Sequence, residues 1–293
     1  MTATLVAGPG PRTSSRPRHP AVRIARHLLH RPSLLLAVVV IVVALLWAIA
    51  PWLFTGYDPI DGVPREKLQA PTLAHPFGTD SLGRDLYARV VYGAAVSLAA
   101  TAVAVLVGLV VGSLFGLVAG FLRGIVDDAI MRLMDVLLAI PALLLSLALI
   151  TALGFGTINI AVAVGLASVA SFARVMRAEV LTVATATYVE AARSSGVRWP
   201  SILRRHVLPN SVGSVLALSS LEFGAAVLAI SALSFLGFGA PPPSPEWGSL
   251  VAGGRDYLAV AWWLTTMPGL VIVAVVLSAN RIARAFEKEE VRA

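Results

Sequence analysis

The sequence predicts an all-α membrane protein with six transmembrane helices and a polar helical loop between the fourth and fifth. Three observations predict it. Hydrophobic residues make up 57% of the 293 residues and charged residues only 13%, against about 25% charged in a soluble domain. The mean hydropathy of +0.83 would leave apolar surface facing water in a soluble fold. The apolar residues also fall in uncharged runs, and about 20 such residues span about 30 Å of hydrocarbon as a helix. The runs lack the period-2 alternation of barrel strands.

The first span is Leu34 to Leu53. Ala48-Ile49-Ala50 resembles a signal-peptidase site, but the run exceeds a signal h-region and Pro51 follows directly, so the helix is retained. The second span is Val90 to Leu122. Val136 to Ala173 is too long for one span and breaks at Gly154-Phe155-Gly156-Thr157-Ile158-Asn159, giving the third and fourth. The fifth is Val212 to Phe235 and the sixth Tyr257 to Asn280. Pro141 and Pro268 are expected to kink their helices.

The formal net charge is +7, and its placement gives it meaning. With the N-terminus in the cytoplasm, 18 basic residues lie inside and 5 outside. The reverse orientation violates the positive-inside rule, so both termini are expected to be cytoplasmic. No aromatic residue occurs among the arginines before Trp47, which argues against a nucleic-acid arm. The expected organisation is a basic, partly disordered cytoplasmic tail (1–33), a first helix with its outer loop (34–89), a five-helix core (90–285) containing a cytoplasmic loop (174–210), and a short cytoplasmic tail (286–293).

Several chemistries find no support. The absence of Cys excludes thiolate zinc sites, iron–sulfur clusters and Cys nucleophiles. Gly78 to Asp85 superficially resembles a phosphate-binding loop, but Arg84 and Asp85 replace its Lys and hydroxyl residue and no strand precedes it. His27 and His30 lack nearby carboxylates, and His75 stands alone. No Ser-His-acid set or Gly-x-Ser-x-Gly elbow is found. Gly108, Gly112, Gly116 and Gly120 share a helix face and are expected to let another helix approach closely. Two acids lie in or near apolar spans. Asp135 is expected to pair locally with Arg132 or to sit at a helix N-terminus, and Glu222 to face a polar cavity or an interhelical partner.

The stretch from Tyr188 to Asn210 reads as a helix ending near Gly196, a turn, and a short basic helix with Pro200 in its first turn. Pro209-Asn210 is expected to break the chain before the fifth span. Such a polar helix–turn–helix is not needed to pack a bundle and makes sense as a knob offered to a soluble partner.

At these residues the sequence resembles the permease subunits of bacterial ABC importers. Glu190-Ala191-Ala192, then Gly196, then His206-x-Leu208-Pro209, is similar to their "EAA" loop. His75 to Asp85, Leu233 to Gly239 and Pro241 to Gly248 resemble the C-type permease of dipeptide, oligopeptide and nickel importers. Asp135 with Leu138-Ala139-Ile140-Pro141 is similar to the start of that family's third helix. The resemblance covers roughly residues 20 to 285.

The resemblance implies a type I ABC importer permease fold in a bacterial inner membrane, working with a second permease subunit, two cytoplasmic ATPases and an external substrate-binding protein. ATP and Mg would be held by the ATPases and no cofactor by this chain. Glu190, Ala191, Ala192, Gly196, Trp199, Arg204, Arg205, His206 and Pro209 would form the ATPase-coupling surface, with the arginines facing the partner or lipid headgroups. Asp80, Arg84, Asp85, Glu246 and Trp247 would belong to the surface that docks the binding protein. Ser146, Asn159, Ser219, Ser220 and Glu222 would line the path. The cargo would be di- or oligopeptides, with nickel complexes or glutathione as alternatives. A secondary transporter using Glu222 and Asp135 would need no coupling loop and would often show inverted repeats, which are not found. An intramembrane enzyme would need a catalytic set that cannot be assembled.

Overall fold

A computed structural model describes residues 32–290. The tail expected to be disordered lies almost wholly outside them, as do residues 291–293. Ten helices organise the described residues: α1 (Pro32–Ile49), α2 (Leu86–Leu122), α3 (Gly124–Ala139), α4 (Ala142–Leu153), α5 (Thr157–Ala184), α6 (Thr187–Ser194), α7 (Trp199–Ile202), α8 (Leu208–Phe235), α9 (Trp247–Gly254) and α10 (Trp263–Glu290). Among these residues the only strand-like pairing is an isolated bridge between Thr79 and Asp85.

Five stretches are long and apolar enough to cross a membrane: α1, α2, α5, the continuous run from α7 through α8, and α10. Together α3 and α4, which meet at 97°, form one further candidate span, broken in its middle and third in chain order. The kink expected at Pro141 is therefore a full break, and the helix before it starts at Gly124, not Val136. The ring of Pro141 disfavours helical backbone at the preceding residue, and Ile140 is extended at φ −93°, ψ 129°. The turn expected at Gly154–Asn159 is present, since α4 ends at Leu153 and α5 begins at Thr157.

The fifth crossing departs from expectation at Pro209, which does not interrupt it. Leu203–Val207 form a π-turn between α7 and α8. The Leu208 N–H donates to the Leu203 carbonyl, one residue further back than in an α-helix. Pro209 has no N–H to offer, and the widened turn carries the helix past it. The sixth crossing starts at Trp263, later than Tyr257, because Arg255–Tyr257 form a separate 3-10 turn.

The centre of the bundle is the seam between α2 and α5, which run parallel. Four of the five glycines of α2 face α5: Gly108 meets Ser168, Gly112 meets Val169 and Phe172, Gly116 meets Ala173, and Gly120 meets Val180. A Cβ on Gly112 would lie 2.5 Å from the Val169 carbonyl oxygen, and one on Gly165 of α5 would lie 2.6 Å from that of Ala104. The expected close approach is realised. Around this seam, α8 packs on α2 and α5, α10 packs on α8, and α1 lies against α2 and α10. At about 1.5 Å per residue, the 37 residues of α2 reach about 55 Å, beyond a bilayer core of about 30 Å. The bundle therefore has two protruding ends. One carries residues 50–85, the turn before α5 and α9; the other carries α6, α7 and the start of α3.

Candidate functional site

At the second end, α5 continues to Ala184, so residues 174–184 are helical and the loop proper starts at Thr185. Helix α6 contains Glu190, Ala191 and Ala192, and α7 opens on Trp199 with Pro200 at its start. Between them Gly196 adopts φ +79° with nothing near the position of a Cβ. Its glycine is therefore required by backbone conformation and not by crowding. The reversal is closed by the Gly196 N–H donating to the Arg193 carbonyl (3.0 Å) and that of Val197 to Ala192 (3.2 Å).

The underside of this knob is apolar. Val189, Ile202 and Val207 are buried against Phe172, Met176, Val180 and Val215 of the crossing helices. Trp199 joins the two halves: its ring meets Phe121 edge-on at 5.0 Å, and the Arg193 guanidinium lies over it at 4.7 Å. Tyr188 tilts against His206 at 6.1 Å. The outer face is polar: Glu190, Ala191, Gly196, Arg204, Arg205 and Pro209 are exposed, while Ala192, Trp199 and His206 are half-buried. The predicted coupling residues thus form one continuous feature with its charges outward.

Nearby, α3 is pinned to α5 by two ion pairs absent from the sequence reading. Arg177 embraces Asp127 through Nε (2.5 Å) and Nη2 (2.6 Å). Arg174 donates to Asp135 at 2.5 Å. This corrects the local role given to Asp135, whose partner lies 39 residues away on another helix. No spacing in the sequence signals these pairs: Arg174 and Arg177 lie three residues apart, whereas Asp135 and Asp127 lie eight apart.

At the opposite end the loop before α2 is cross-linked by its own polar groups. Asp85 caps α2 by accepting from Ala88 N (2.5 Å) and from His75 Nδ1 (2.8 Å). Thr79 donates to the Glu66 carbonyl, and its own carbonyl accepts from Trp263 Nε1 at 3.2 Å. Asp58 closes a small turn by accepting the N–H groups of Ile60 and Asp61, and those bonds hold its carboxyl below the usual value. Helix α9 is fixed to α2 by Glu246 and Trp247. Glu246 accepts from Gly248 N (3.0 Å), Ser249 N (2.9 Å) and Ser97 Oγ (3.3 Å), while Trp247 Nε1 donates to the Val90 carbonyl (2.9 Å). Asp85, Glu246 and Trp247 are 3%, 0% and 0% exposed. Their side chains are buried, so they shape this surface from within and do not present it. Asp80 and Arg84 pair with each other at 2.7 Å beside a cavity.

The five predicted path residues divide. Ser146 and Glu222 line one cavity of ≈ 310 Å³, where the α3–α4 break faces α5 and α8, together with Ser168 and Ser171, which the sequence reading missed. Asn159 instead staples the turn before α5, donating to the carbonyls of Leu153 (3.0 Å) and Gly154 (3.1 Å). Ser219 returns its hydroxyl to the Leu216 carbonyl at 2.7 Å, and neither it nor Ser220 lines that cavity. No group of three or more metal-ligating side chains forms among the described residues.

Comparison with known proteins places this architecture. Residues 112–291 match the binding-protein-dependent transport system inner membrane component family. A putative peptide transport system permease protein of Brucella suis is 39% identical over 266 residues, 90% of this chain and 89% of its own. The glutathione transport system permease protein of Pectobacterium atrosepticum is 41% identical over 241 residues, 81% of this chain and 80% of its own. Among solved structures, the inward-facing MetNI methionine ABC transporter aligns with a TM-score of 0.53 at 18% identity, covering 68% of this chain and 96% of that one. An amino acid ABC transporter crystallised with histidines gives a TM-score of 0.53 over 69% and 94%. These neighbours share the type I importer fold. The chain belongs to the binding-protein-dependent transport system inner membrane components, the permease subunits of ABC importers.

Proposed function

We propose that this permease forms half of the path by which an ATP-driven importer takes up short peptides or peptide-like solutes such as glutathione. Relatives named for peptide and for glutathione transport support that cargo class. The outer face is the end carrying residues 50–85 and α9, where an external binding protein docks, and both termini are cytoplasmic. The distribution of basic residues supports this orientation. Hydrolysis belongs to separate ATPase subunits, which hold ATP and Mg, and a second permease completes the path.

One observation carries the reading: the α6–Gly196–α7 knob, apolar and buried beneath and polar above. Its buried underside is continuous with α5 and with the α7–α8 helix, so a push on the knob is delivered directly to two crossings. Closure of the ATPases would bias the bundle between two access states through these levers. The α3–α4 break and the cavity holding Glu222 lie between the moving helices.

The test is co-purification with uptake. The tagged chain, extracted in mild detergent from cells expressing the whole transporter, should bring down an ATPase. Gly196→Asp should insert in the membrane yet abolish peptide uptake. A chain that never retains an ATPase, or a Gly196→Asp variant with normal uptake, contradicts the proposal.

A further inference from the structure

The loop before α2 contains a charge imbalance that its own contacts do not resolve. Arg84 and Arg89 both approach Asp80. Its Oδ1 accepts the N–H groups of Leu82 (2.9 Å) and Arg84 (3.0 Å), and its Oδ2 accepts Arg84 Nε (2.7 Å). Arg89 Nε lies 3.7 Å from Oδ2, too far for a hydrogen bond. Arg89 as a whole is 6% exposed, its Nη1 donates to the Pro59 carbonyl at 2.7 Å, and its buried Nε has no hydrogen-bond partner among the described residues. One carboxylate thus serves two guanidinium groups, one of them nearly enclosed. A buried cation short of an anionic partner is costly unless something supplies the missing charge.

A cavity of ≈ 560 Å³ opens beside these groups. Among the described residues, Asp80, Arg84 and Arg89 are the only ionisable ones lining it, giving a local charge of about +1. The remaining wall is mostly apolar or small, with Phe155, Leu86, Leu250, Leu264, Pro241 and Pro242 contributed by separate segments of the chain. This size is typical of small-molecule sites, where apolar walls surround a few polar groups that fix orientation. Guanidinium groups recognise carboxylates through paired, charge-assisted hydrogen bonds.

We propose that this cavity is a carboxylate-binding subsite, which holds the C-terminal carboxylate of a short peptide at Arg84 and Arg89 while the apolar wall receives the adjoining side chain. The subsite rests on the peptide-importer reading and adds to it a direct contact between permease and cargo. It also gives Arg84 and Asp80 a role distinct from protein docking: Asp80 positions Arg84, and Arg84 meets the solute.

The test uses the full chain in lipid nanodiscs and saturation-transfer NMR with millimolar dialanine, dialanine amide and inorganic phosphate as probes. Dialanine should bind, and its amide, which keeps the ammonium group but lacks the carboxylate, should bind at least about tenfold more weakly. Arg84→Gln should remove most of that preference. Arg89→Gln also releases Pro59 and can unfold the loop, so Ser81→Glu is the cleaner variant. It keeps both arginines and places a competing carboxylate on the cavity wall; it should abolish the preference for acid over amide. Equal binding of acid and amide, or an unchanged preference in Ser81→Glu, would overturn the proposal. Phosphate binding as tightly as dialanine would make this a general anion site and overturn the peptide assignment. A chain that retains its ATPase partner but shows no acid preference sinks the subsite alone. Loss of ATPase association sinks the importer reading instead.

Discussion

The two ends of the bundle place their polar groups in opposite ways. At the end bearing Asp80, the side chains of His75, Thr79, Asp80, Asp85, Arg89 and Glu246 are all buried and hydrogen-bonded within the fold. At the end bearing Glu190, the charged groups of Glu190, Arg193, Arg198, Arg204 and Arg205 are exposed, and an apolar layer from Val189 to Val207 holds the knob from beneath. Buried polar groups need partners inside the fold, so the first end is a cap held largely by its own polar groups, with the buried Arg89 Nε the exception. The second end leaves its charges to water and to whatever docks there. The cap should therefore fail by unfolding and the knob by losing function while still folded.

The largest expected effect tests the cap. Trp247 is fully buried and pins α9 to α2, so Trp247→Ala should cost about 3–5 kcal/mol and visibly lower the thermal midpoint in detergent. Between the two ends, Gly112→Leu would force a side chain into the backbone of α5. Overpacking costs of about 1–3 kcal/mol are expected there, read as reduced yield and earlier unfolding on a size-exclusion thermal scan. At the knob, Gly196→Asp strains a left-handed residue by about 1–2 kcal/mol, less than the Trp247 change, yet it should eliminate uptake. Uptake that merely tracks stability across these three variants would erase the contrast between the ends. The smallest effect belongs to the exposed Arg174–Asp135 pair: Asp135→Asn should shift stability by no more than about 1 kcal/mol, measured on the same scan.

Much of this was legible because the bilayer writes its demands into composition. Uncharged runs located the crossings, and the four-residue spacing of Gly108 to Gly120 located the helix seam. The knob was legible because Glu190-Ala191-Ala192 and Gly196 are out of place in an apolar protein. Other features depend on three-dimensional juxtaposition. Nothing local says that Pro141 ends a helix whereas Pro268 is absorbed by one, since neighbouring helices decide which backbone groups can be re-satisfied. Glu246 and Trp247 looked like exposed docking residues on an outer loop, but α9 folds back and buries both against α2. Asp135 looked local because its partner comes from a distant turn of α5. The missed serines of the Glu222 cavity, Ser168 and Ser171, have no sequence mark apart from lying on the α5 face that meets the α3–α4 break.

The absence of Cys from the sequence allows a direct measurement of the central claim, that the knob is a surface completed by an ATPase. Ser195→Cys places a single thiol on its exposed tip, and a water-soluble maleimide reports its accessibility. The account predicts rapid labelling in the isolated chain and strong protection in the assembled transporter, with transport competence reported alongside. Equal labelling in both states would contradict it, because a surface that stays open in the working complex is not where the ATPase docks.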